Sequence, residues 1–170
     1  MPIVTSTSCF TLNGRSLGTT MANFFEWCYS DTAAPTVRSA LAEYIVASAL
    51  GVVGSCAKRY APSRAGTIYY QGYCLEIKSA AYIESNIPEF PDQILFKIQS
   101  HAPDAYVFCV FKGIYADDSP LNLDLWDFYI AHPNILNECH GKSISLSKLI
   151  SIGPLPCNYN GLADAILSAV

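Results

Sequence analysis

The sequence predicts an α/β domain, and three stretches carry that prediction. They are a helix-forming run from Asp31 to Gly51, a β-hairpin from Thr67 to Lys78, and an unbroken apolar strand from Ala105 to Phe111. The order helix, hairpin, strands, helix repeats nowhere, and no linker or low-complexity segment interrupts it. At 170 residues the chain suits a single domain, since domains most often hold ~100–150 residues. One domain over 1–170 is therefore expected, with 1–20 as an extended N-terminal arm.

Asn23 to Tyr29 reads as a short helix rich in aromatics (Phe24, Phe25, Trp27, Tyr29). A second helix starts at Asp31 or Thr32, because Pro35 suits a first turn and Gly51 offers a stop. In it Val37, Leu41, Tyr44, Ile45 and Ala49 recur at the helical period and predict the buried face. The hairpin pairs Thr67–Tyr70 with Tyr73–Lys78 across a Gln71-Gly72 turn. Strand alternation sets Tyr73, Leu75 and Ile77 on one face and Cys74, Glu76 and Lys78 on the other. Further strands are expected at Gln93–Gln99, Ala105–Phe111 and Trp126–His132, and a turn or short helix at Pro133–Asn137. A last helix is expected at Asn160–Ala169 with Asn160 as its cap.

Composition removes several classes. A hydrophobic fraction of 51% with a net charge of -4 is not that of a disordered chain. The longest apolar stretch, Ala40–Val53, is broken by Glu43 and Tyr44 and falls short of the ~20 residues of a membrane span. Met1–Leu12 is polar, without the basic start and apolar centre of a signal peptide, so a cytoplasmic protein is expected. The seven cysteines are scattered and form no C-x-x-C pair, which favours reduced thiols over a disulfide framework or a structural zinc. Cys139-His140 could hold a metal as a pair, against the reading of a surface loop. The acidic balance does not suit a nonspecific nucleic-acid binder.

Glu76-Ile77-Lys78 is the sharpest local feature. A carboxylate and an ammonium two residues apart on one strand face can hold a divalent cation and orient a water beside it, as metal-assisted phosphodiester hydrolysis requires. The same triplet also occurs as a plain ion pair on a strand. Arg38 and Glu43 are the only charges between Thr36 and Gly51. Glu43 stands among small and apolar neighbours where an unpaired charge is costly. Lys58, Arg59 and Arg64 make the one local basic cluster, suited to phosphate contacts or to a solvated loop. His101 and His132 have no visible partner acid. No G-x-S-x-G, phosphate-loop or dinucleotide motif is present. The eleven tyrosines and eight phenylalanines, with Tyr69, Tyr70, Tyr73 and Tyr82 around the triplet, suit base stacking, a core or a homodimer interface.

Several blocks share a wider resemblance. They are Phe25–Asp31, Arg38–Ala47, Leu75–Tyr82, Asp104–Cys109, Leu121–Tyr129 and Lys142–Leu146. In order and spacing they resemble a bacterial and phage group within the PD-(D/E)xK nuclease-like superfamily. The resemblance implies a restriction-endonuclease-like core, a mixed β-sheet flanked by helices with the E-x-K on a central strand. It implies Glu76 and Lys78 as catalytic residues, Glu43 and Glu76 as ligands of Mg²⁺ or Mn²⁺, and Lys58, Arg59 and Arg64 as nucleic-acid contacts. The partner implied is nucleic acid, DNA before RNA.

One departure bears on all of this. In the resembling proteins an aspartate precedes the E-x-K by about ten residues and supplies the central metal ligand. Here Ala61–Tyr70 holds no acid, and hairpin register puts the expected position near Gly66. Either the site has degenerated, or Glu84 or Asp104 replaces the ligand, or the register differs. The expected function is thus Mg²⁺-dependent phosphodiester hydrolysis of nucleic acid by a nuclease-like protein with a degenerate metal site. The alternative is a catalytically inactive binding or inhibitory module of that fold, acting on nucleic acid or on a protein in phage–host conflict.

Overall fold

The computed structural model describes residues 4–32, 34–56, 66–84, 87–98, 103–115, 117–136 and 143–170. It divides into two units, Met1–Thr32 and Ala33–Val170.

The first unit is a hairpin followed by a helix. Strands β1 (Cys9–Leu12) and β2 (Arg15–Thr20) pair antiparallel. They are joined by Asn13 and Gly14 at φ 49° and 74°, the two positive values that a tight hairpin turn requires. Residues 9–20 are therefore a hairpin where an extended arm was expected. Helix α1 (Met21–Tyr29) is capped by Thr20, whose hydroxyl accepts from the Asn23 N–H while the Asn23 side chain accepts from the Thr20 N–H. No residue of α1 is buried.

The second unit begins with α2 (Pro35–Ala49) and the single turn α3 (Val53–Cys56). Helix α2 starts on Pro35 after Ala34, with no side-chain cap, so neither Asp31 nor Thr32 caps it. Its buried residues are Arg38, Ala42, Ile45, Val46 and Ala47. The expected stripe is rotated, and Tyr44 is 57% exposed. The alanines are the reason, because side chains this small let the helix sink onto the sheet while bulky Tyr44 stays outside.

The sheet is ordered β11-β9-β8-β4-β3. Its strands are β3 (Thr67–Tyr70), β4 (Tyr73–Ala81), β8 (Ala105–Phe111), β9 (Trp126–Ala131) and β11 (Leu155–Cys157). The hairpin β3–β4 turns on Gln71 and Gly72, both at positive φ. Strand β8 lies parallel to β4 and antiparallel to β9, making the sheet mixed. All seven β8 residues are buried, as its unbroken apolar run predicts. A parallel neighbour needs a long crossover, which runs from β4 to β8 through β5 (Ile83–Glu84), β6 (Ile87–Pro88) and β7 (Leu95–Lys97).

The strand expected at 93–99 shortens to β7 and leaves the main sheet to pair with β10 (Ser143–Ser145). Helices α4 (Pro133–Leu136), α5 (Leu146–Ser151) and α6 (Leu162–Ala169) complete the unit. Asn158, not Asn160, provides the cap near α6, accepting from the Gly161 N–H above a short 3-10 turn at Tyr159–Gly161. Two cores result, one on each face of the sheet. The first joins Leu75, Ile77, Val107 and Phe128 to Ala42, Ile45 and Val46 of α2 and Leu162 and Ile166 of α6. The second joins Tyr106, Phe108 and Val110 to Phe96, Ile144, Leu146 and Leu149. Among the described residues no helix is long and apolar enough to cross a membrane.

Candidate functional site

Glu76 is buried because of where its strand lies. Strand β4 is covered by β3 on one side and β8 on the other, so a residue in mid-strand is open to water only through its own face. Alternation turns Leu75 and Ile77 into the first core, toward α2. Glu76 and Lys78 turn the other way, as the sequence predicts. In the ladder Glu76 stands beside Tyr106 and Lys78 beside Phe108. The Glu76 side chain is 1% exposed and that of Lys78 15%, and Lys78 Nζ lies 2.5 Å from Glu76 Oε1. The carboxylate's negative charge adds to burial in pushing the Tyr106 hydroxyl above its ordinary pKa, burial being the larger cause.

Cys74 opens the same face. Burial raises its thiol pKa most; a hydrogen bond with Tyr69 lowers it, and Asp104 and Glu76 raise it again. The net direction is upward, away from a thiolate. Asp104, a candidate replacement ligand, is engaged with the backbone. Its Oδ2 accepts from the Cys74 N–H at 2.7 Å, and its own N–H donates to the Cys74 carbonyl at 2.8 Å. This reciprocal clasp fixes the start of β8 against β4.

Glu43 approaches from the other side of the sheet. It lies on α2, whose Ser39 hydroxyl meets that of Ser79 at 3.0 Å on the Ile77 face. Its Oε1 accepts from the Gly66 N–H at 2.8 Å. Burial raises the Glu43 pKa, and the Gly66 bond opposes that rise. Gly66 in turn accepts from the Ile77 N–H through its carbonyl, at 2.5 Å.

Gly66 is also the position near which the resemblance leads one to expect an aspartate. It has φ +83°, a conformation that favours glycine, and a Cβ there would stand 3.0 Å from the Ile77 carbonyl oxygen. Thr67, not Gly66, is the register partner of Glu76.

The remaining candidates fall elsewhere. Lys58, Arg59 and Arg64 lie outside the described residues, as do His101, Cys139 and His140. Glu84 is placed in β5 by its backbone, pairing with Ile87, and its side chain lies outside the described part. His132 accepts from the Asn134 N–H through Nδ1 at 3.2 Å, a local turn contact. Sequence reasoning reached Gly66 only as the neighbourhood of an expected aspartate, and it missed Tyr106 as a neighbour of the site. Tyr106 could not be found from periodicity, because a parallel register between strands so far apart leaves no local signal.

Among the described residues no three of histidine, cysteine, aspartate and glutamate come together in a way that could hold a metal ion. Comparison with protein-family models, with curated proteins and with solved structures finds no match to this chain.

Proposed function

We propose that this chain is a non-hydrolytic binding module on a restriction-endonuclease-like core, in which the E-x-K pair has become an internal structural ion pair. The observation that carries the reading is the direct contact of Lys78 Nζ with Glu76 Oε1, on a carboxylate only 1% exposed. In a hydrolytic E-x-K site the carboxylate faces a cation and the ammonium faces a water. Here one oxygen of the carboxylate takes the ammonium directly.

The donor set does not fit Mg²⁺ or Mn²⁺. Such an ion takes one or two carboxylates along with water and phosphate oxygens. Glu76 has one oxygen on Lys78, Glu43 reaches Gly66 from the opposite face, and Asp104 is engaged with Cys74. The mixed sheet, with the triplet on an inner strand and α2 packed against it, supports the fold reading. A net charge of -4 weighs against phosphate attraction as the main source of affinity, so a protein partner is favoured over nucleic acid.

The test is cleavage of labelled single- and double-stranded DNA and RNA with Mg²⁺ or Mn²⁺, by the protein and by Glu76→Ala and Lys78→Ala. The expected result is no cleavage above that of the variants. Cleavage by the protein that both variants lose overturns the proposal and restores a metal nuclease. Gel-shift titrations of the same substrates separate nucleic-acid binding from its absence.

A further inference from the structure

We propose that Asn13 is a covalent modification site whose side-chain amide cyclises onto the Gly14 nitrogen and hydrolyses, with loss of ammonia, to isoaspartate and aspartate, loosening the β1–β2 hairpin. The proposal does not depend on the reading of the Glu76 pair.

Two asparagines of the chain precede a glycine, Asn13 and Asn160. Ring closure brings the next backbone nitrogen onto the side-chain carbonyl carbon, and glycine, with no Cβ, hinders that approach least. The other asparagines precede Phe24, Ile87, Leu123, Ile135, Glu138 and Tyr159, all bulkier.

The two pairs sit in opposite settings. Asn13 and Gly14 form the two-residue turn between β1 and β2, and residues 9–19 are all exposed. Among the described residues nothing accepts from the Gly14 N–H, the Asn13 amide makes no hydrogen bond, and a Cβ on Gly14 would meet open space. The attack needs Asn13 to turn out of its hairpin conformation at φ 49° so that the nitrogen swings behind Cγ. A two-stranded hairpin whose residues face water opens at little cost. Asn160 is held instead. The Gly161 N–H donates to the Asn158 side-chain oxygen at 3.3 Å and to the Asn158 carbonyl at 3.2 Å. Gly161 leads straight into α6, whose Leu162 and Ile166 belong to the first core. Freeing that nitrogen undoes the start of a core helix.

The chemistry balances with water alone. The Gly14 nitrogen gives its proton to solvent base and bonds to Cγ of Asn13, while the bond from Cγ to Nδ2 breaks and the amide nitrogen leaves as ammonia. Water then opens the succinimide at either ring carbonyl. Opening at Cγ gives aspartate, and opening at the main-chain carbonyl gives isoaspartate. One water is consumed and one ammonia released, with no change of oxidation state.

Either product adds a negative charge to residues 4–32, which otherwise carry Arg15, Glu26 and Asp31. Isoaspartate also routes the main chain through the side-chain methylene. That lengthens a turn which closes with just two residues, at φ 49° and 74°, and which sets Leu12 opposite Arg15.

The test is incubation of the full chain in warm, mildly alkaline buffer in which circular dichroism shows the fold kept, beside a sample in urea, with peptide mass mapping of both. In the folded chain Asn13 is expected to convert about tenfold or more faster than Asn160, a ratio that a modest difference in local opening produces, and the two rates converge in urea. Isoaspartate is expected among the products, recognised by resistance to a protease that cuts before aspartate. An unconverted Asn13 in the folded chain overturns the proposal, as does a rate no greater than that of Asn160. Aspartate as the sole product overturns it too, because hydrolysis without a ring yields no isoaspartate. Hydrogen exchange reads the hairpin: the Leu12 and Arg15 amides should exchange faster in the converted fraction, and unchanged exchange there refutes the loosening.

Discussion

Lys78 Nζ stands 2.5 Å from Glu76 Oε1 while the surrounding sheet leaves the carboxylate almost no contact with water. The pair is asymmetric. Losing Lys78 leaves a negative charge inside the sheet, whereas losing Glu76 leaves an ammonium on a long stem that reaches toward solvent. Lys78→Met is expected to cost about 3 kcal/mol or more, the usual penalty for removing one partner of a buried pair. Glu76→Gln is expected to cost less, and Glu76→Leu with Lys78→Met to recover much of the loss. Urea unfolding of the three variants checks the order. Equal costs for Lys78→Met and Glu76→Gln would mean that burial of the carboxylate is not what the pair compensates.

Gly66 tests whether the acid that the resemblance expects near this position can be introduced. Its φ of +83° and the 3.0 Å approach to the Ile77 carbonyl make any side chain there strained. Gly66→Asp and Gly66→Ala are both expected to lose about 1–2 kcal/mol. The aspartate variant should lose more, because its carboxylate enters beside Glu43, which already accepts from the Gly66 N–H. Calorimetric titration with Mn²⁺ should show no gain in affinity for Gly66→Asp. A clear gain would show that the loop can relax and that an acid at this position adds a ligand for the cation.

Much of the second unit was legible because its signals are local. The Gln71-Gly72 turn, the period-2 face of Cys74, Glu76 and Lys78, the stop at Gly51 and the buried strand at 105–111 all read directly from neighbours in sequence. The Asn13-Gly14 hairpin carried an equally local signal, which an arm over 1–20 passes over. What stayed hidden depends on distant partners. The pairing of β7 with β10, Tyr106 beside Glu76 and the clasp of Asp104 on Cys74 each follow from a register that no window of sequence contains. The rotated face of α2 has another cause: apolarity alone ranks Tyr44 above Ala42, while close packing against a sheet selects for small size.

Glu43 gives a pH signature. Burial raises its folded-state pKa above the ordinary carboxylate value, so the native protein holds this proton more tightly than the unfolded chain does. The stabilisation is therefore full below the unfolded pKa and is lost as pH rises through the raised folded one. Glu43→Gln keeps an oxygen for the Gly66 N–H and removes the titration. Its stability relative to wild type should improve from mildly acidic to neutral pH, as measured by urea midpoints across that range. Parallel curves for the two proteins would place Glu43 in water rather than against the sheet.

Asp104 separates a structural acid from a ligand. It receives the Cys74 N–H at 2.7 Å and returns its own N–H to the Cys74 carbonyl at 2.8 Å, so it locks the point where the parallel ladder of β4 and β8 begins. A parallel pair has no tight turn to set its register, and a clasp at its first rung does that work. Asp104→Ala is expected to cost about 1 kcal/mol and to speed hydrogen exchange at the Cys74 amide. Asp104→Asn, which keeps an acceptor oxygen and loses the charge, should retain most of that protection. A metal ligand would behave in the opposite way, since the amide is a poor substitute for a carboxylate on a hard cation. Full stability in Asp104→Asn together with a loss of Mn²⁺ affinity relative to wild type would therefore move Asp104 from the frame of the sheet into a working site.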